Sequence, residues 1–531
     1  MLDLSTGGIL CILATIVIVF YRSREQLSRR GLPLPPGPKP LPLVGNLFDQ
    51  PQENPWLTYH QWGKEHASDI LSFRVLGRPT IILNSVKVIS DLLEKRSTIY
   101  SDRVRAPMLN ELIGWNWNFC FMPYGQRWRE RRRVFTRHFS PSALQWLHPV
   151  HTQHSRILLR HLLSSPNEFR AHLRQNQTAT IMESVYGMEI KDQHDPFYDI
   201  AEISMLSLSK AGIIGTFYVD FLPSLSHIPS WFPGAGFQSL AVEWGKYVRA
   251  LRDDGFMKLR EKMKQNTARP CIAKTMLDNV NLEDEKAVEI ARDALGIAFG
   301  AGADTSLATN LVFFLAMALY PESQHKAQAE IDQVVGRDRL PEFNDRPNLP
   351  YVNALCKEVL RWQSVTPLSV FHATSQDDVY DGYFIPKGSV IVANTWAITR
   401  DLQAYPEPEK FNPDRFLKDG KIDPNVRDPQ AHIFGSGRRS VLNPSKANST
   451  TVLIQFCSAR ICPGRYFALD SLYSAVTNVL ACFTIEPHNH EKLPEPRMTD
   501  GVISFPESYN VLIKPRYKEV EALIESAVVD I

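Results

Sequence analysis

The run from Glu283 to Tyr320 constrains this chain more than any other stretch. It contains no proline, turns apolar after Asp293 and reads as one long helix. Its middle is Gly296-Ile297-Ala298-Phe299-Gly300-Ala301-Gly302-Ala303-Asp304-Thr305-Ser306. Each glycine inside a helix costs about 1 kcal/mol relative to alanine, so three of them imply that something requires side chains to be absent. Close approach of a flat ligand is such a requirement. Taken alone, the hexapeptide Ala301 to Ser306 also reads as helix packing.

A second feature is the thiol in Arg460-Ile461-Cys462-Pro463-Gly464, followed by the apolar helical run Tyr466-Phe467-Ala468-Leu469. A cysteine just before a helix N-terminus with arginine close by is where a thiolate is favoured, because dipole and cation both stabilise negative charge. Alone, a Cys-Pro-Gly is equally a buried structural cysteine. Upstream lies the glycine-rich turn Phe434-Gly435-Ser436-Gly437-Arg438-Arg439.

Other signals come in a fixed order. Gln126 to Arg137 is an arginine-dense helix in which Trp128 and Arg132 share one face, while Arg129, Arg133 and Arg137 form a neighbouring stripe. Cys356-Lys357-Glu358-Val359-Leu360-Arg361 sets Glu358 and Arg361 three apart on a helix, and Phe411-Asn412-Pro413-Asp414-Arg415-Phe416 follows. His372 stands between them, ahead of a hairpin-like alternation from Asp381 to Val392. Val75 to Leu83 also reads as a hairpin, and Val86 to Glu94 as helix.

With Ser440 to Arg460 removed, the turn reads Phe-Gly-Ser-Gly-Arg-Arg-Ile-Cys-Pro-Gly. That string, with Trp128/Arg132, Ala301 to Ser306, Glu358/Arg361 and Pro413 to Phe416 in order, resembles the cytochrome P-450 family over residues 32 to 516. In detail it is similar to basidiomycete microsomal members. The resemblance implies a mainly α fold with a small β region, preceded by an N-terminal transmembrane helix. It implies haem b with Cys462 as the proximal iron ligand. It also implies propionate contacts from Trp128, Arg132, His372 and either Arg439 or Arg460, with Ala301 against the ring. Thr305, whose hydroxyl opens the distal helix in the family, and Asp304, which relays protons, would be the catalytic pair. Glu358, Arg361 and Arg415 would form a structural cluster. The chain departs from the pattern at Phe371, where proline is usual, and in Ser440 to Arg460. This segment is in frame and short and joins at a duplicated arginine, so it reads as a retained intron; it carries Cys457 as a rival thiol.

Composition narrows the setting. The net charge of +2 carries no nucleic-acid signature, and seven scattered cysteines form no disulfide framework. Gly7 to Tyr21 is apolar and is followed by Arg22, Arg24, Arg29 and Arg30, which reads as an uncleaved single-pass anchor with a cytosolic flank, in the endoplasmic reticulum membrane. The expected organisation is an anchor at 1–30, a proline-rich hinge at 31–53 and one catalytic domain at 54–531 with the insertion at 440–460. No dinucleotide turn is present, so electrons would come from NADPH through a separate cytochrome P-450 reductase, with cytochrome b5 as a second donor. The Arg129 stripe is the expected docking face. The expected activity is monooxygenation of a small hydrophobic substrate, a secondary metabolite such as a terpenoid or polyketide or an aromatic xenobiotic. The expected pocket walls are the 103–122 loop, the 205–240 region and Phe505. Two other readings remain: a haem- or ligand-binding protein without turnover, its thiolate loop displaced by the insertion, and a membrane-tethered interaction protein.

Overall fold

The computed structural model describes residues 31–190, 195–213, 215–436, 460–489 and 493–529. The anchor expected at 1–30, Arg439, Cys457 and all of the insertion except Arg460 lie outside the described residues. The architecture is mainly helical with small sheets, in keeping with the expected class.

Eight helices frame the site: α1 (Gln126–His138), α2 (His148–Ser164), α3 (Phe169–Tyr186), α4 (Pro196–Ala211), α5 (Gly236–Lys264), α6 (Glu285–Leu319), α7 (Pro350–Trp362) and α8 (Arg465–Cys482). Helix α6 is the long run that the sequence announced. Asp284 caps it by accepting from the Ala287 N–H at 3.1 Å, Glu285 opens its positive end, and Pro321 forbids its continuation. Residues from Ile290 to Ala318 are almost all buried. The first half packs with Trp117, Val248 and Leu251, the second with Phe169, Val359 and Val476. Among the described residues α6 alone is long and apolar enough to cross a membrane, but 83% of its apolar window is buried inside the protein, which makes it a core helix.

The glycines of α6 answer to neighbouring elements more than to a flat ligand. A Cβ on Gly296 would stand 3.0 Å from the Arg252 Cα and 3.1 Å from the Trp117 ring, and one on Gly300 2.9 Å from Leu251. A Cβ on Gly302 would meet Ile181 of α3 at 2.8 Å. The glycines let α3 and α5 come close to α6, which corrects the sequence reading for Gly296 and Gly300.

One sheet has the order β1-β2-β7-β4-β3. Strands β1 (Ile70–Val75) and β2 (Arg78–Leu83) form a hairpin over Leu76 and Gly77, both at positive φ, so the hairpin begins earlier than its sequence signal. The short strands β3 (Asp102–Arg103) and β4 (His372–Ala373) pair so that Arg103 lies opposite His372. A separate hairpin, β5 (Asp378–Tyr380) with β6 (Tyr383–Ile385), turns at Asp381-Gly382, and β7 (Val390–Ala393) then runs parallel to β2. The expected helix from Val86 becomes a π-helical turn after Ile89. The proline-rich segment is pinned to the body. Pro36 O accepts from Ser72 N at 2.8 Å and Pro33 O from Phe384 N at 2.8 Å.

Behind the site, Glu358 is fully buried and meets both arginines. Its carboxylate accepts from Arg361 at 2.7 and 2.8 Å and from Arg415 at 3.1 Å. Arg361 also donates to the carbonyls of Thr399 and Pro408. A buried pair satisfied on every side is costly to break, by about 3–5 kcal/mol when one partner is removed.

Candidate functional site

The main cavity lies between the middle of α6 and the turn that precedes α8. It encloses about 1690 Å³ of space free of protein atoms, mouth included, and Ala301, Gly302, Thr305 and Cys462 all line it. Ala301 is exposed although the middle of its helix is mostly buried, in keeping with a cavity on this face of α6. Cys462 is likewise surface-accessible, because it opens into the cavity while lying deep within the protein.

The turn that carries Cys462 is fixed by backbone contacts. Cys462 N donates to Phe434 O at 2.7 Å. Gly435 adopts φ +93°, and a Cβ there would stand 3.0 Å from the Arg460 carbonyl, so glycine is required. Phe434 to Ser436 and Arg460 to Cys462 are therefore neighbours across the undescribed residues 437–459. The Gly464 and Arg465 N–H groups and the cations of Arg132 and Arg465 pull the Cys462 pKa down as expected, but burial outweighs them and leaves it raised. A metal cation on the sulfur would supply the missing compensation.

At one end of the cavity stand three buried or half-buried guanidiniums and an imidazole. Arg460 donates to the carbonyls of Ser101 (3.1 Å), Phe119 (3.3 Å) and Met122 (3.0 Å), and stacks 4.5 Å over the Trp128 ring. Arg132, one turn beyond Trp128 on α1, donates to Ile461 O. Arg103 donates to Val370 O at 2.6 Å and Phe371 O at 2.7 Å, and its Nε is buried with no partner. His372 contacts Tyr100 O through Nδ1 at 2.8 Å. Burial, with repulsion from neighbouring arginines, holds His372 and Arg460 well below their ordinary pKa values, and burial takes Arg103 to about 10 against an opposing pull from Cys120 and Asp102.

No carboxylate lines this cavity among the described residues. Arg103 and Arg460 donate to neutral carbonyls, Asp102 offsets their burial only in part, and an anionic ligand at this end of the cavity would complete the compensation. A flat dianion with an iron for the sulfur suits both the buried thiol and the arginines, so the residues present fit a thiolate-bound haem. Trp128, Arg132, Ala301, His372, Arg460 and Cys462 all line the one cavity, although they are scattered from residue 128 to 462. Arg103 was missed in the sequence, where one arginine in a two-residue strand has no signature; its pairing opposite His372 is visible only in three dimensions.

Asp304 and Thr305 face different ways. Thr305 lines the main cavity, its hydroxyl donating to Ala301 O at 2.7 Å, and α6 is continuous there rather than opened. Asp304 lines a second cavity with Arg170, Arg174, Tyr198 and Glu202, and burial raises its pKa to about 7, against a lowering by Arg174. Phe505, Met205 and Ser209 also line that second cavity and not the first, and Trp115 and Trp117 are stacked core residues 5.5 Å apart. Of the expected pocket walls, Arg103, Phe119 and Cys120 reach the main cavity. On the outer face of α1, Arg133 and Arg137 are exposed, and Arg129 lies 5.5 Å over the Tyr124 ring. Arg131, between them, is instead buried and bonded to Asp293 and Glu289 of α6.

Comparison with known proteins agrees with this geometry. The sequence profile of the family Cytochrome P450 matches residues 35–440, ending where the expected insertion begins. Cytochrome P450 monooxygenase COX2 of Coprinopsis cinerea is 40% identical, over 93% of this chain and 91% of its own. Cytochrome P450 monooxygenase 98 of Postia placenta is 36% identical, over 99% and 98%. Tryptamine 4-monooxygenase of Psilocybe cyanescens is 35% identical, over 94% and 96%. With the cation-lined cavity, its thiol and a profile that spans most of the chain, the protein belongs to the cytochrome P450 family.

Proposed function

We propose that the protein is a haem-thiolate monooxygenase that inserts one oxygen atom from dioxygen into a small hydrophobic substrate. The observation that carries this is the cavity in which Cys462 faces the same space as Ala301 and Thr305, with Arg103, Arg132 and Arg460 at one end. Bound haem would supply dioxygen reduction and oxygen-atom insertion, with thiolate donation from Cys462.

The chain's own residues prepare that chemistry. Arg103, Arg132 and Arg460, with His372 and Trp128 beside them, would hold the carboxylates of a bound haem. Thr305 holds a hydroxyl proton on the distal wall, and rotation away from Ala301 O frees it for the reacting centre. Asp304, with a pKa of about 7, gives and takes a proton near neutrality. It is filled from the second cavity, so the protons and the substrate use different faces of α6.

Electrons reach the site from NADPH through a separate membrane-bound reductase, with cytochrome b5 as a second donor, at the Arg129, Arg133 and Arg137 face. Exposed Leu43, Phe48, Tyr218, Trp231 and Phe232 suit a face resting on a bilayer beside the 1–30 anchor, in the endoplasmic reticulum. The substrate is a secondary metabolite of terpenoid, polyketide or indolic type, or an aromatic xenobiotic; the indolic class is supported by the tryptamine-oxidising relative. The test is turnover of a terpenoid and aromatic panel with NADPH, reductase and isotopically labelled dioxygen. One labelled oxygen atom in the product is expected, and product oxygen drawn only from water rejects the proposal.

A further inference from the structure

Between α4 and α5 the chain runs against the 103–122 loop, and one carboxylate ties it there. Asp220 is 2% exposed. Its Oδ1 accepts from Met108 N at 3.0 Å, which anchors the π-helical turn Met108–Leu112, and its backbone carbonyl accepts from the Arg78 guanidinium of β2 at 3.3 Å. Beside it, Phe221 and Val104 of the loop both pack against the sheet cluster of Leu71, Phe73 and Val392. Farther along, the hydrogen bonds of residues 223–235 stay within the segment or reach Gln238 at the start of α5.

The tie is an uneasy one. Asp220 Oδ2 is shut off from solvent and meets no donor, and a buried carboxylate with one oxygen unfilled costs far more as an anion than with a proton on it. The charged groups around it are Arg78 of β2 and Glu111 of the loop; Arg105, paired with Glu111 at 2.8 Å, acts on Arg78. Burial outweighs the Met108 N–H and Arg78 and takes the Asp220 pKa up to about 6. The turn that Asp220 anchors lines a crevice: Leu109 and Asn110 face Gly212, just past α4, across a narrow space that shares Arg103, Ser369 and Val370 with the main cavity. The crevice has room for about one water, so no substrate passes while its walls stay together.

We infer that Asp220 positions this wall according to pH: protonated, it holds the 217–235 segment on the 103–122 loop, and ionised, it lets the two part, so that the crevice widens into a passage to the main cavity. None of these contacts involves Cys462, so the inference stands apart from the haem reading. The sign follows from linkage. The docked carboxyl keeps a proton that a solvated one releases near 3.8, so docking is firmest at low pH, weakens as pH rises through about 6 and is level above it. With those two values the parted fraction rises about tenfold between about pH 5 and about pH 7.5.

The test is hydrogen exchange of the Met108 and Ile113 amides in the haem-loaded full chain, corrected for the intrinsic pH dependence of exchange, which reads the parted fraction without turnover. Protection should fall about tenfold over that range in the wild-type protein and stay level in Asp220→Asn. His227→Gln, which removes the exposed imidazole of the same segment, should behave as wild type. Arg78→Gln keeps a donor for the Asp220 carbonyl but removes the cation that favours the anion, and should move the fall to higher pH. A level wild-type profile, a fall that survives Asp220→Asn, one that disappears in His227→Gln or one that keeps its place in Arg78→Gln overturns the inference.

Discussion

Asp304 is buried on the far side of the helix that carries Thr305, and its ionisation should be visible in the stability of the whole protein. Its folded pKa is about 7 against an ordinary value of 3.8, with burial the main cause. The folded chain therefore keeps a proton that the unfolded chain releases between those two values. Stability falls as pH rises through that window and is level above it. At about 1.4 kcal/mol per unit, burying this carboxyl costs about 4 kcal/mol near pH 8, where it is ionised, and about 2 kcal/mol near pH 5, where the fold holds its proton. Asp304→Asn removes the titration and keeps the shape. Urea-unfolding midpoints of the wild-type and variant holoproteins, compared across that range, should diverge by roughly 2–3 kcal/mol in favour of the variant as pH rises. The amide's own burial adds an offset that does not change with pH. A difference that stays flat from about pH 5 to about pH 8 would refute the argument, because Asp304 would then ionise as an ordinary carboxyl paired with Arg174.

The other predictions concern packing, docking and the inserted segment. Gly296→Ala forces a methyl against the Arg252 backbone and the Trp117 ring and should lower stability by about 1–3 kcal/mol, whereas Gly302→Ala meets the flexible end of Ile181 and should be close to neutral by the same urea-unfolding assay. Arg129→Glu with Arg133→Glu should slow reduction by the reductase while sparing peroxide-driven turnover; equal loss in both assays would reject the docking role. Phe434–Gly435 already contact Arg460–Cys462, so deletion of Ser440 to Arg460 should let the chain close there with Arg439 in the seat of Arg460. The shortened chain should bind at least as much haem per protein as the full one, and a chain that loses haem would show that the segment belongs to the fold. Transcript sequencing tests the retained-intron reading itself.

Much of the site was legible because its chemistry needs rare residue types at fixed spacing. Trp128 and Arg132 lie four apart, so one helical face brings both to the cavity, and Cys462 sits where a turn meets a helix. The Glu358 cluster was legible for the same reason, since three apart on a helix means adjacent. What stayed hidden depends on which element packs where. Helix α6 carries Asp304 and Thr305 side by side in sequence, yet consecutive positions turn about 100° and open on different cavities. Its glycines looked like a ligand's footprint, but at Gly296 and Gly300 they mark the approach of α5. Arg103 is a single arginine in a two-residue strand, and only the pairing of β3 with β4 sets it opposite His372.

The central claim is that the sulfur of Cys462 bonds to haem iron, and the reduced carbon-monoxide difference spectrum tests it most directly. The full-length protein should give the long-wavelength Soret band of a thiolate-bound ferrous complex, and Cys462→Ser should lose that band while the fold survives. The same band in the Cys462→Ser protein, or its absence from the haem-loaded wild type, would contradict the account.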